Sequence, residues 1–138
     1  MTEVRVTSDT GGQKGSKLAR FDLVPQDALW ALAEAYGRGA AKYDDDNWRR
    51  GYDWSLSFAA MQRHASQFWG GEDIDAETGS PHLAAVAWHA MSLLHFSLNA
   101  QYARFDNRQA KAHAGRTVPP AEVLPSLAPC EAEDGSPA

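Results

Sequence analysis

Four acids, Glu72, Asp73, Asp75 and Glu77, fall within six residues of the segment RHASQFWGGEDIDAETGSPH (63–82), with His64 ahead of them and His82 behind. An acidic cluster held between ordered helices is a candidate cage for a hard cation such as Mg²⁺ or Mn²⁺. Such cations most often serve phosphate chemistry. A plainer reading stands beside it. Gly70–Gly71 ends one apolar run and Ser80–Pro81 opens the next, and acids ahead of a helix N-terminus are favoured by capping and by the helix dipole. Composition alone leaves the two readings level. The flanking histidines and nearby basic residues favour the cage.

Glu34 stands four residues after Trp30 and four before Arg38. It is either half of a surface ion pair or a ligand projecting from the first helix, and spacing favours the pair. Arg63 can pair with the acidic segment or grip a phosphate with two parallel hydrogen bonds. His64 lies between Met61 and Phe68 on one helical face, so it should be half-buried and hydrogen-bonded. His82 is either a first-turn residue or the partner that orients a carboxylate. His89 and His95 read as structural and outside the site. The linker KYDDDNWRRGYDW (42–54) offers Tyr43, Trp48, Tyr52 and Trp54 for stacking, Lys42, Arg49 and Arg50 for charge, and the Asn47 amide for a base edge. That combination suits a nucleotide pocket and equally an aromatic hinge over the end of a bundle. Lys14, Lys17 and Arg20 either close over a triphosphate or solvate a mobile arm.

The elements that must position these groups are helical. Residues 1–20 read as a flexible N-terminal arm, 21–104 as a helical domain, and 105–138 as a disordered or loosely draped tail. A first helix starts near Pro25 and carries Leu29, Leu32, Ala33, Tyr36 and Ala40 at helical spacing, with Gly37 and Gly39 weakening its end. Ser55 is the expected cap of a second helix, whose inward stripe would be Phe58, Met61, Ala65, Phe68 and Trp69. The third is expected from Ser80–Pro81 to about Tyr102, with Leu83, Val86, Ala87, Ala90, Leu94 and Leu98 on one face. Trp88, Met91, Leu93 and Phe96 make that helix apolar nearly all round, which calls for neighbours on every side and predicts a homo-oligomer. No segment shows sustained β alternation, so the fold class is an all-α bundle.

The 138 residues suit one domain, and 43% hydrophobic with 22% charged residues fits a soluble globular class. A net charge of −5 argues against a broad surface for polymeric nucleic acid. The single Cys130 precludes an intrachain disulfide or a Cys-rich zinc site, and fits a cytoplasmic setting. No signal-type opening and no bilayer-length apolar run is present, so no membrane partner is expected. Phosphate-loop, dinucleotide-fold and serine-elbow motifs are missing, which makes an activated water the expected nucleophile.

The order GGQKGSKLARFDLVP, YGRGAAKYDDDNWRRGYDWS and RHASQFWGGEDIDAETGSPHL, spanning roughly 11–99, resembles the phage dATP/dGTP diphosphohydrolases, which belong with the MazG-like all-α nucleoside triphosphate pyrophosphatases. The resemblance implies a MazG-like four-helix, oligomeric (dimeric or tetrameric) bundle. It implies Mg²⁺- or Mn²⁺-dependent hydrolysis of dGTP or dATP to the monophosphate, with release of pyrophosphate or of successive phosphates. The setting implied is the host cytoplasm of a phage that remodels its nucleotide pool, as for 2-aminoadenine DNA. Such enzymes carry ExxE and ExxD ligand pairs. Here Glu72 and Asp75 form one E-x-x-D, and Glu34 alone would stand for the other, with Asp73 and Glu77 in reserve. On this reading Glu34, Glu72 and Asp75 are catalytic. Lys14, Lys17, Arg20 and Arg63 neutralise the polyphosphate, Lys42, Tyr43, Asn47 and Trp48 take base and sugar, and His64 and His82 stand behind the ligands. The alternative is a catalytically silent helical module that binds a nucleotide or a protein through the aromatic linker.

Overall fold

The computed structural model describes residues 3–109, so of the tail expected over 105–138 the part from 110 onwards lies outside the described residues. Within the expected arm, β1 (Val4–Thr7) pairs antiparallel with β2 (Gln13–Ser16), Val4 opposite Ser16 and Thr7 opposite Gln13. This small hairpin is the one sheet among the described residues, which are otherwise mostly helical and compatible with the all-α expectation. Its strand Val-Arg-Val-Thr is β-branched at three of four positions, and its turn closes by Gly11 N–H to the Ser8 carbonyl with Gly11 at φ +85°. Every β1 residue is exposed, so the hairpin adds nothing to the core.

Three long helices carry the rest: α1 (Gln26–Lys42), α2 (Trp54–Trp69) and α3 (His82–Leu98). Pro25 is the residue before α1, with Asp27 in the first turn and Lys42 in the last, as the helix dipole favours. α1 runs through Gly37 and Gly39 without interruption. Asp53, not Ser55, precedes α2. The Ser55 hydroxyl accepts from Asn107 Nδ2 at 2.8 Å, and its backbone N–H donates to Asn107 Oδ1 at 3.1 Å. Residues 105–108, read as tail, therefore fold back onto the start of α2, with the Arg108 guanidinium 4.9 Å from the Trp54 ring. α3 stops at Leu98 rather than Tyr102. Asn99 takes extended backbone and its side-chain amide donates to the His95 carbonyl at 2.8 Å, and a 3-10 turn, Ala100–Phe105, swings Tyr102 back against Phe96.

α3 lies against both other helices. Ser57 meets His89 while His64 meets His82, so α2 and α3 are antiparallel. Tyr36 of α1 bonds to Ser92 of α3 at 2.9 Å. Among the described residues the buried apolar set is small: Leu32, Trp54, Ala84, Phe96 and Tyr102. The expected inward stripe of α2 is partly reversed. Phe58 and Trp69 are 54% and 89% exposed, while Ser57 and His64 are buried. α2 turns its polar line inward because those groups pair with polar groups of α3. Leu83, Met91, Leu94 and Leu98 of α3 are also exposed, as are Leu29 and Trp30 of α1. No helix of the described residues is long and apolar enough to cross a membrane.

Candidate functional site

The acidic segment is an ordered loop joining α2 to α3. Gly71 (φ +102°) and Gly79 (φ +73°) supply the backbone turns that a side chain would resist. Asp75 N–H donates to the Ser80 carbonyl, Gly79 N–H to the Asp75 carbonyl, and His82 N–H to the Asp73 carbonyl, at 2.7–2.9 Å. The Asp75 carboxylate, 9% exposed, staples the loop from inside, accepting from Glu77 N–H at 3.1 Å and from the Thr78 hydroxyl at 2.9 Å. Burial alone would raise its pKa. Those two hydrogen bonds and the neighbouring His64 and His82 reverse the sign and hold it below the ordinary carboxylate value.

Glu72 is different: its side chain is 47% exposed, and Oε1 lies 3.3 Å from His82 Nε2. That contact is off the hydrogen-bond line, so the wholly buried Nε2 is otherwise unsatisfied. Behind it, His82 Nδ1 sits 2.9 Å from His64 Nδ1. One of these nitrogens must carry the proton and the other must not. When His64 is the donor, His82 carries its proton on Nε2 and faces Glu72 with it. Burial, followed by the Arg63 charge, lowers the His64 pKa and so favours its neutral form.

Glu34 stands apart from these groups. Oε1 accepts from Trp30 Nε1 at 2.8 Å and Oε2 from Arg38 at 3.3 Å. The second arm of Arg38 donates to the buried Ser80 hydroxyl at 2.7 Å. Arg38 thus ties Glu34 and α1 to the end of the acidic loop, a link invisible to spacing arguments, which showed only an i,i+4 pair. No group of three or more His, Cys, Asp or Glu among the described residues is arranged to hold a metal ion. Asp75 accepts its hydrogen bonds within the loop, and Glu34 accepts from Trp30 and Arg38.

The linker forms the second half of the site. A cavity of about 630 Å³ is bounded by Tyr36, Gly39 and Ala40 of α1, by 43–48 and Tyr52 of the linker, by Leu56 and Ser57 of α2, and by Trp88 and His89 of α3. Its size is that of a small-ligand pocket. Tyr43, Asn47 and Trp48 are on its wall, and Lys42 reaches over the Tyr43 ring at 5.1 Å. Trp48 is walled in by Tyr36, Trp88, His95 and Phe96 at 5.1–6.5 Å, and Arg49 lies 4.7 Å from its ring. Tyr43, 59% exposed, is the aromatic with a face to offer. Sequence reasoning missed Asp44, Asp45, Tyr36, Trp88 and His89 on this wall. The seven-residue spacing that puts His89 on the His82 face of α3 was the available signal.

The cations divide. Arg20 is committed to Asp22 through two hydrogen bonds of 2.8 and 2.6 Å. Lys14 lies on β2 in a shallow cleft with Glu3, Arg5 and Gln13. Lys17 and Arg63 are exposed.

His89 carries a pH prediction. Burial, with the His64 and Arg63 charges, lowers its pKa from 6.5 to about 4. Between those values the unfolded chain binds a proton that the native chain refuses, so stability rises with pH. The thermal midpoint is expected to drop as pH falls from 7 towards 4, with His64 contributing in the same direction, and His89→Gln should flatten the slope. A midpoint unchanged over that window in the unaltered protein would contradict the buried neutral ring.

No curated protein and no solved structure matches this sequence. The family model described as dATP/dGTP diphosphohydrolase, N-terminal, matches residues 8–108, a span that takes in the hairpin turn, the cavity and the acidic loop. That match covers well over half of the chain, and the chain belongs to the dATP/dGTP diphosphohydrolase family.

Proposed function

We propose that this chain hydrolyses the triphosphates of deoxypurine nucleosides, dGTP and dATP, to monophosphates. The observation that carries the reading is an aromatic-lined cavity large enough for a nucleoside and joined, through His89, His64 and His82, to a half-exposed glutamate on an ordered acidic loop. His82 and His89 are seven residues apart on α3, or ~10 Å at the rise of a helix, a separation a bound nucleotide can bridge. Asp44, Asp45 and Asp46 on the cavity wall repel phosphate, which favours base and sugar in the cavity and the triphosphate outside it. Lys14, Lys17, Arg20 and Arg63 are the cations available to the phosphates, Arg20 after release from Asp22. Glu72, half-exposed beside His82, is a carboxylate able to accept a proton from the attacking water. Mg²⁺ or Mn²⁺ enters on this reading as the counter-ion of the substrate's triphosphate. The phage setting and a role in 2-aminoadenine DNA synthesis accompany the family reading.

We also propose a homo-oligomer. Apolar side chains exposed on α1, α2 and α3 outnumber those buried, and a second copy would cover them. A light-scattering mass of a single chain would sink that.

The decisive assay is anion-exchange separation of products from each common ribo- and deoxyribonucleoside triphosphate, with Mn²⁺ or with EDTA. Metal-dependent appearance of dGMP or dAMP is the expected result. A second reading, a silent nucleotide-binding module, draws on the absence of a three-ligand group among the described residues. Nucleotide binding indifferent to Mn²⁺, without turnover, would favour it.

A further inference from the structure

His89 is the group on the cavity wall that the hydrolytic reading leaves without a task. Its ring is fixed: Nδ1 is 2.9 Å from Ser57 Oγ, one face lies along His64 with ring centres 6.2 Å apart, and the Trp88 ring centre is 4.8 Å away with its plane at 80°. The described residues give its Nε2 no partner. Ser57, 1% exposed, is in turn 2.6 Å from the Tyr52 hydroxyl, and Tyr52, Ser57 and His89 all border the cavity.

The Ser57 hydroxyl has one hydrogen and two neighbours, so the chain has two complete arrangements. In the first, Tyr52 donates to Ser57 and Ser57 donates to His89 Nδ1, so Nε2 carries the ring proton and is a donor. In the second, His89 Nδ1–H donates to Ser57 and Ser57 donates to Tyr52, so Nε2 presents a lone pair and is an acceptor. Rotation of two hydroxyls and a change of tautomer interconvert them, with no heavy atom displaced. The imidazole must be neutral for this, and its burial keeps it so at pH 7.

Guanine and adenine differ in this sense at their six-position: guanine has the O6 acceptor and adenine the N6 amino donor. We propose that the Tyr52–Ser57–His89 chain reads the purine six-position in either hydrogen-bond sense, so that one cavity accepts both bases. The inference rests on the purine reading of the cavity. Asn47, on the same wall, can turn its amide to meet either the N1–H of guanine or the bare N1 of adenine. A fixed donor or acceptor at His89 would instead leave one base with an unsatisfied polar contact and reject it.

The test uses the full chain labelled with ¹⁵N-histidine, with deoxyguanosine and deoxyadenosine as probes, so that no turnover is needed. Long-range ¹H–¹⁵N correlation separates the two tautomers. The expected result is Nε2–H at His89 with deoxyguanosine and Nδ1–H with deoxyadenosine. Tyr52→Phe removes the acceptor that the second arrangement needs, so the affinity ratio, read by tryptophan fluorescence, should shift about tenfold towards deoxyguanosine. His89→Gln, which can offer either sense, should keep both ligands, and His89→Phe should weaken both. The same tautomer with both nucleosides, no response of His89 to either at saturation, or an unchanged ratio in Tyr52→Phe would overturn the proposal. If tautomer follows base but no triphosphate is hydrolysed, the hydrolase reading fails alone. If both triphosphates are hydrolysed with the tautomer unmoved, the relay fails alone.

Discussion

Asp75→Asn is expected to lower kcat/KM for dGTP and dATP by roughly 100-fold while shifting the thermal midpoint by only ~5 °C. Geometry separates the two effects. Asn keeps one carbonyl oxygen for Glu77 N–H, and its amide can donate to Thr78 Oγ1 in place of the bond that Thr78 now donates. The loop therefore has a way to stay closed. The negative charge goes, and with it the pull on His64 and His82 from beneath the loop. Asp75→Ala is the harsher change. It removes the acceptor that holds the Glu77 N–H and the Thr78 hydroxyl and releases the segment that presents Glu72. Thr78→Val isolates the staple from the charge. Turnover that survives Asp75→Asn but not Thr78→Val would make loop closure the requirement. Full activity in both would move the chemistry away from this loop altogether. Product formation by anion exchange, beside a thermal melt of each variant, reads both arms.

Much of the architecture is legible in the sequence because apolar spacing and helix punctuation agree. Gly70–Gly71 and Ser80–Pro81 mark the real ends of α2 and α3. The face of α2 was read in part wrongly for a physical reason. Apolar periodicity finds an apolar face, whether the neighbour that covers it is the same chain or another copy. In this chain Ser57, His64 and Ser92 are inside because they pair across helices, while Phe58 and Trp69 are outside. The β1–β2 hairpin escaped because four-residue strands with no buried face leave little alternation to detect. For the site, the acidic loop and the aromatic linker stand out by composition. Arg38, which joins Glu34 to Ser80, does not, because the bond spans 42 residues of sequence. Nor does the packing of Trp48, since an exposed stacking platform and an aromatic keystone have the same letter.

Phe96→Ala is expected to cost about 3–5 kcal/mol, the range for removing a buried aromatic ring, out of a total that for a domain of this kind is ~5–15 kcal/mol. Phe96 is 1% exposed and is the ring on which the others meet: Tyr102 at 4.7 Å, Tyr52 at 5.4 Å and Trp48 at 5.8 Å. With so few apolar side chains buried, the cavity that is left has little to collapse into it. The loss is also functional, because Trp48 and Tyr52 are cavity walls. Their relaxation should weaken deoxynucleoside binding even under conditions where the variant stays folded. Phe96→Leu, which keeps most of the volume, should cost roughly 1.5 kcal/mol or less and spare binding. Urea denaturation with and without saturating deoxyguanosine resolves the pair, since a ligand that binds only the native state raises stability by its own linkage term. That added stability should persist in Phe96→Leu and shrink in Phe96→Ala. A loss below ~1 kcal/mol in Phe96→Ala would mean that stability does not rest mainly on this ring cluster.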